Sequence, residues 1–362
     1  MRVAVLGGGH GAHAHAGHLS LAGHEVCLCH LSERAASIEA ARVRQSIGVE
    51  TAPGVEGVPT GVAQLACVTT DFHKAISGAD VILLVVAAQG QELFLSRLLP
   101  YVQDGQILLI CPGKFGALVA RRGLKDMAAG SNIIVAESES LLYIARLEGV
   151  ASVRISGIKK RLRVATLPAR EGPQAIQRLR ELHPQFALAT HVLETSFSDP
   201  GNVMHPVHTL LNLGRIEELG SYRYDHYGVT ASMGRVIDAL DRERLEVAEA
   251  LGMDIQSVPQ LLHSVYGSSP ESAADAIRTT SGYRGFTSPG DLNHRFITEN
   301  VPYGLVPIAS IGRQIGVQTP AMDAVIEIAE AAAGHPFRQQ GRGLAQMGLA
   351  GRDAAGILEA VG

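Results

Sequence analysis

The sequence predicts a doubly wound α/β domain of the Rossmann type followed by an all-helical domain, and three observations carry that expectation. An apolar strand, Arg2–Leu6, runs straight into the glycine turn Gly7-Gly8-Gly9-His10-Gly11-Ala12. Strand-like and helix-like segments then alternate through the first half, the pattern of a parallel sheet with helices on both faces. After about residue 196 helical periodicity takes over, with almost no strand-like runs.

The spacing Gly7-x-Gly9-x-x-Ala12 suits a dinucleotide turn. One glycine makes the tight turn, the next lets backbone approach a pyrophosphate, and the small third residue packs helix on sheet. Gly7, Gly9, His10, Gly11 and Ala12 are therefore expected to bind cofactor, the alternative being a tight strand–helix turn without a ligand. A helix near Ala12–Ala22 follows, then strand Glu25–Cys29, a helix near Glu33–Arg44, and strands Ala79–Val86, Ile107–Ile110 and Ile133–Glu137. Val81–Val86 is apolar on both faces, as a central parallel strand requires. Ala87 and Pro112-Gly113 follow strand ends at the ligand edge of the sheet and join the expected cofactor contacts. Val153–Ile158 and Arg163–Leu167 are expected to extend the domain, and helix Pro173–Leu182 with Phe186–Leu193 to close it.

Thr195–Gly201 reads as a boundary, giving a cofactor domain over 1–196 and a helical substrate domain over 197–362. In the second domain Met233, Val236, Ile237, Leu240, Val247 and Leu251 recur at helical spacing, as do Met322, Val325, Ile326 and Ala329. Ser269-Pro270 and Thr319-Pro320 read as N-caps with proline at the first helical position.

At 362 residues, with 46% hydrophobic and 18% charged residues, the chain suits a two-domain soluble enzyme. Its net charge of −4 argues against a nucleic-acid partner. The apolar run Val81–Ala88 is too short to cross a membrane. The first helix lacks the build of a signal peptide, so a cytoplasmic location is expected. Cys27, Cys29, Cys67 and Cys111 show no Cys-x-x-Cys spacing and are expected to be buried thiols in a reducing compartment.

An NAD-preferring domain carries an acid at the end of its second strand to meet the ribose hydroxyls. Here His30 stands in that place, followed by Ser32 and Arg34, with Glu33 the only acid nearby. The cluster favours NADP over NAD, since Arg34 can pair with a 2′-phosphate; the alternative is a solvated start to the second helix. His10, His13, His15, His18, His24 and His30 crowd the first thirty residues. Only His15 and His18 share a helix face, with no acid or cysteine to complete a site, so surface histidines and no metal are expected. His205, at the start of the helical domain, is a candidate acid/base, a core histidine being the alternative.

Several motifs resemble those of opine dehydrogenases, of the octopine dehydrogenase and N-(1-carboxyethyl)norvaline dehydrogenase type. They include the glycine turn, Val85-Val86-x-Ala88, Pro112-Gly113-x-x-Gly116, Glu137-x-x-Ser140 and Met204-His205-Pro206-x-x-Thr209-Leu210-Leu211-Asn212. Tyr266-Gly267, Tyr283-Arg284-Gly285, Asn293-x-Arg295-Phe296, Gly304-Leu305-Val306-Pro307, Thr319-Pro320 and Gly341-Arg342-x-Leu344 continue the likeness to nearly full length. The resemblance implies NAD(P)H-dependent reductive condensation of an amino acid with an α-keto acid, in the cleft between a Rossmann domain and a helical one. It makes His205 the acid/base and Arg295 the cation for the keto-acid carboxylate. Glu137 is a candidate for the amino-acid charge or a buried structural carboxylate. His208, Tyr222, Tyr224 and Tyr227 are candidate pocket residues, and a homodimer is expected.

One position departs from the family pattern. Asn300 stands where an aspartate would orient the histidine and support its charge. Either Glu299 or another acid substitutes, or the histidine works at a lower pKa, or the activity is changed. Two further readings stay open: a keto-acid or hydroxy-acid dehydrogenase that uses no amine, and a dinucleotide-binding protein without catalysis.

Overall fold

The computed structural model describes residues 1–125, 132–223, 228–283 and 287–362. The chain divides into two compact units, Met1–Thr195 with Gly362, and Ser196–Val361.

The strands of the first unit are β1 (Arg2–Leu6), β2 (Glu25–Cys29), β3 (Ser46–Thr51), β4 (Gly61–Gln64), β5 (Cys67–Thr69) and β6 (Val81–Leu84). They continue with β7 (Ile107–Ile110), β8 (Ile134–Ser138), β9 (Tyr143–Leu147), β10 (Ser152–Ile158), β11 (Leu162–Leu167) and β12 (Phe186–Leu188). The main sheet has the order β12-β11-β8-β7-β6-β1-β2-β5. From β5 to β8 every neighbouring pair is parallel. That stretch has the strand order of a dinucleotide-binding fold, with its switch point between β1 and β6. Val81–Leu84 and Ile107–Ile110 are buried throughout, as strands covered on both faces must be.

Val153–Ile158 is a strand of the first unit, in a second sheet rather than the main one: β10 pairs with β3 and β9 in a separate four-stranded sheet, β4-β3-β10-β9. The reason lies in its one-sided pattern, in which Val153 and Ile155 are buried and their neighbours are not. β11 is buried almost continuously and does join the main sheet, antiparallel to β8. Of Phe186–Leu193 only the first three residues are strand, and the helix Val192–Phe197 follows.

The second sheet also overturns the expectation of surface histidines. Helix His10–Leu21 packs against β1 and β2 on the main sheet and against β3, β4, β9 and β10. Both its faces are covered, so His13, His15 and His18 are buried. Close approach is needed here, because a Cβ on Gly17 would collide with the Val49 side chain. His15 Nδ1 lies 3.0 Å from His183 Nε2, and His18 Nδ1 lies 2.8 Å from the Tyr143 hydroxyl. Burial depresses His15 to about 3 and His18 to about 4. Among the described residues no group of histidine, cysteine and acidic side chains is arranged to hold a metal ion.

The cysteine expectation holds for half of the set. Cys29 and Cys111 are free, buried thiols pushed up to about 12 by burial. Cys27 and Cys67, expected to be thiols, form a disulfide. They are register partners on parallel β2 and β5, with Cα atoms 4.5 Å apart, a juxtaposition that linear spacing does not reveal.

Among its described residues the second unit is helical apart from one bridge between Arg223 and Thr287. Helix Ala231–Ala250 buries Met233, Ile237, Leu240 and Val247, and helix Pro320–Ala333 buries Met322, Val325, Ile326 and Ala329. Pro320 opens its helix as expected, yet Thr319 makes no side-chain cap. The Glu243 carboxylate takes that part, accepting from Ala321 N at 2.7 Å and Met322 N at 2.8 Å. The cap expected at Ser269 falls three residues later, at Ser272, which accepts from Asp275 N. Arg244 is buried with Asp241 and also donates to the carbonyls of Phe197 and Gln256. Among the described residues no helix is long and apolar enough to cross a membrane.

Candidate active site

The glycine turn leaves β1 with Gly7 at φ 141°, a conformation that favours glycine, and a Cβ there would collide with the Val85 carbonyl oxygen. Ala12 is buried beside it. A Cβ on Gly9 would meet nothing within 4 Å, whereas one on Gly11 would lie 3.1 Å from Val85 Cγ1. The turn is thus packed tightly beneath and open above Gly9, at the N-terminus of a twelve-residue helix that has no side-chain cap. A pyrophosphate fits such a terminus, where backbone N–H groups and the helix dipole favour an anion. His10 is held at its ring, which accepts a hydrogen bond from Leu147 N at 2.9 Å. Ala87 caps the helix Ala88–Leu98 after β6, and Pro112-Gly113 follow β7, both at the same sheet edge.

His30 closes β2 and stacks on Phe94 with ring centroids 5.5 Å apart. Burial, and then the charge of Arg34, hold it below the ordinary histidine range, so the imidazole is neutral. Ser32 and Arg34 lie on the exposed 3₁₀ segment Ser32–Ser37. Gly8 was missed in the sequence because it falls outside the spacing rule. A Cβ there would collide with Ser37 Oγ and come within 2.6 Å of the His30 ring, so Gly8 lets the turn and the ribose-side segment pack together.

In the helical unit His205 projects from helix Gly201–Leu210, and Gly201 leaves it room, since a Cβ would sit 3.0 Å from Nδ1. Its ring stacks on Phe296 at 3.8 Å with planes 8° apart, a contact that sequence spacing did not show. Asn300 lies beside it with Nδ2 3.3 Å from His205 Nδ1. The same amide nitrogen donates to the carbonyls of Arg295 at 3.1 Å and Phe296 at 3.4 Å. Arg295 begins a short helix, and its Nε lies 3.2 Å from the buried Glu299 carboxylate. The guanidinium itself is partly exposed. Sequence positions 205, 295 and 300 thereby form one cluster.

The expected substrate residues divide differently. Glu137 is fully buried on β8, where its carboxylate accepts from Ala117 N at 3.0 Å and Thr195 Oγ1 at 2.9 Å. Those bonds hold the carboxylate in the interior of the first unit. His208 is fully buried and Tyr222 nearly so, stacked with centroids 5.8 Å apart. A Cβ on Gly228 would collide with His208 Nε2, so the helical unit packs closely at this ring. Tyr224, Tyr227, Arg284 and Gly285 lie outside the described residues.

Comparison with known proteins adds an independent line. A family model described as the NAD/NADP octopine/nopaline dehydrogenase alpha-helical domain matches residues 188–333. An opine dehydrogenase of Arthrobacter sp. (strain 1C) is 35% identical over 361 residues, covering 99% of this chain and 98% of that relative. A solved octopine dehydrogenase with NADH and L-arginine aligns with a TM-score of 0.78 at 23% identity, over 99% of this chain and 98% of that one. A yersinopine dehydrogenase with NADP+ bound gives 0.74 at 14% identity, over 99% and 97%. At those identities the two structures speak for the fold.

Proposed function

The chain belongs to the opine dehydrogenase family, and from that premise we propose that it condenses the amine of an amino acid with an α-keto acid and reduces the imine formed. The observation that carries the reading to this chain's own residues is the His205, Asn300 and Arg295 cluster. When bound, the nicotinamide dinucleotide supplies the hydride. Gly7, Gly9, His10, Gly11 and Ala12 would hold its pyrophosphate, with Ala87, Pro112 and Gly113 along the same edge.

Asn300 sets the protonation of His205. Its Nδ2 faces two carbonyl oxygens, and turning the amide over would set Oδ1 against them. Nδ2 can only donate, so His205 Nδ1 accepts and the ring proton resides on Nε2. That Nε2–H hydrogen-bonds to the keto-acid carbonyl oxygen and polarises it for attack by the amine, whose two protons leave with that oxygen as water when the imine forms. Arg295, steadied at Nε by Glu299, offers its remaining N–H groups to the keto-acid carboxylate.

For the cofactor our reading is NADP over NAD, supported by the neutral His30 and the exposed Arg34 near Ser32. A homodimer in the cytoplasm completes the reading; exposed Leu211 and Leu219 on the helical unit suit a subunit contact, which light scattering tests.

The deciding experiment is a matrix of amino acids against pyruvate, oxaloacetate and 2-oxoglutarate, followed by NADPH and NADH absorbance with mass detection of the condensed product. A secondary-amine dicarboxylate supports the proposal. Oxidation of cofactor with a keto acid alone, unchanged when amino acids are omitted, would overturn it, and so would an unaltered kcat in His205→Asn.

A further inference from the structure

Asn300 meets His205 at Nδ1 but brings no negative charge to the ring. Glu299, the acid next to it in sequence, is turned to Arg295, whose Nε lies 3.2 Å from the carboxylate and whose guanidinium offsets its charge. A different acid stands beside the ring, in the turn that leads into helix Gly201–Leu210. A Cβ on Gly201 would lie 3.0 Å from Asp199 Oδ1, 3.0 Å from His205 Nδ1 and 3.1 Å from His205 Cε1. Both groups border one small space over Gly201, so Oδ1 and Nδ1 are at most about 6 Å apart. Asp199 is fixed in that place, its Oδ1 accepting from Gly201 N at 2.9 Å and its backbone carbonyl from Asn202 N at 3.2 Å. Helix geometry explains the meeting. His205 follows Gly201 by four residues and its side chain leans back toward the N-terminal turn, where the chain enters through Asp199.

A carboxylate at about 4 to 6 Å from an imidazole favours the protonated ring. Protonation bears on the chemistry, because a cationic N–H is a stronger donor to a carbonyl oxygen than a neutral one. Other charged and titratable groups around this helix answer one another. On the facing turn Arg295 holds Glu299, and His294 meets the edge of Phe296, whose face stacks on His205. Helices Ala231–Ala250 and Pro320–Ala333 also pack against it, and there Asp241 pairs with Arg244 while Glu243 caps the second of the two. Tyr303 meets Arg342, and Arg215 and His208 meet Tyr222. All of these residues belong to the helical unit. Resting on the opine reading, we propose that Asp199 is a positioning residue that supplies negative charge to His205, the part an aspartate at position 300 would otherwise play.

Asp199→Asn removes the charge and keeps an oxygen to accept from Gly201 N. The titration of His205 is followed by NMR through its Cε1–H signal in wild type, Asp199→Asn, Asn300→Asp and the double variant, the signal being identified by its loss in His205→Asn. Asp199→Asn is expected to lower the midpoint by about half a unit or more. Adding Asn300→Asp to that variant should bring the midpoint back to the wild-type value or above it. The limb of the kcat/KM profile that reports His205, measured with NADPH, pyruvate and L-arginine, L-norvaline or L-alanine, should move with it. Asp199→Ser also keeps an acceptor without the charge and gives the same test where the asparagine variant does not fold. A midpoint unchanged in Asp199→Asn, with only the melting temperature lowered, would reduce Asp199 to a helix cap and overturn the proposal. So would a lowered midpoint that Asn300→Asp does not recover, since the shift would then not come from charge. The NMR midpoint is read without substrate; a wild type that condenses no amine with any keto acid refutes the opine reading, independently of Asp199.

Discussion

The amide nitrogen of Asn300 lies 3.3 Å from Nδ1 of His205 and also faces the backbone carbonyls of Arg295 and Phe296, an arrangement that fits an imidazole accepting at Nδ1 and donating at Nε2. An aspartate in that place would accept from Nδ1–H and stabilise the imidazolium. The exchange of one oxygen for one nitrogen reverses the polarity of the histidine.

Asn300→Asp should therefore raise the pKa of His205 and shift the limb of the kcat/KM profile that reports it to higher pH, by about one unit or more. A pH–rate series from 5.5 to 9.5 on wild type and variant checks this. Superimposed profiles would show that Asn300 does not govern the ring.

Arg295 is the other half of the cluster. Arg295→Lys keeps a positive charge but loses the planar fork that meets a carboxylate with two parallel bonds. The KM for the keto acid should rise about tenfold or more, with the KM for the amine unchanged. Arg295→Gln should also lower the melting temperature, because it removes a cation that meets the fully buried Glu299 carboxylate. Equal rises in both KM values would instead point to a general loosening of the helical unit.

Arg34 is exposed, so its effect is confined to the ligand it meets. Arg34→Ala should raise the KM for NADPH about tenfold and leave that for NADH within about twofold, since only the former has a 2′-phosphate. The same variant should flatten the salt dependence of NADPH binding. A wild-type preference for NADH would refute the assignment.

What could be read from sequence follows the range of the forces involved. The glycine turn, β6 and β7 were legible because their signals are local: a backbone that needs Gly7, and apolar runs buried on both faces. The second sheet was not, because β3, β4 and β10 are buried on one side only, and β10's partner strand β3 lies about a hundred residues away. Its absence from the sequence reading is also why His13, His15 and His18 were placed in water. Likewise the Cys27–Cys67 bond depends on the register of β2 against β5. In the site, His205, Arg295 and Asn300 were legible through family motifs. The Phe296 stack and the direction of the Asn300 amide were not, since both are set by backbone of the turn after Arg295.

Those misplaced histidines have a measurable consequence. His15 and His18 are held at about 3 and about 4, against an ordinary value of 6.5, and His183 is pushed down as well, in each case mainly by burial. The folded protein keeps these rings neutral, whereas the unfolded chain takes up protons below 6.5, so stability is full above that pH and is lost as pH falls toward 4 and then 3. Each histidine contributes a slope of about 1.4 kcal/mol per pH unit within its window. Between pH 6.5 and 5.5 most carboxylates remain ionised, so the histidines dominate the slope there. Urea unfolding at half-unit steps from pH 7.5 to 5.5 should show the decline, and His18→Gln should make it shallower by about one proton. The Gln amide can still accept from the Tyr143 hydroxyl that His18 meets in the native fold, which keeps the packing comparable. A stability that is flat across this range would mean that the cluster takes up protons without unfolding, and would contradict the burial of these rings between helix His10–Leu21, β9 and His183.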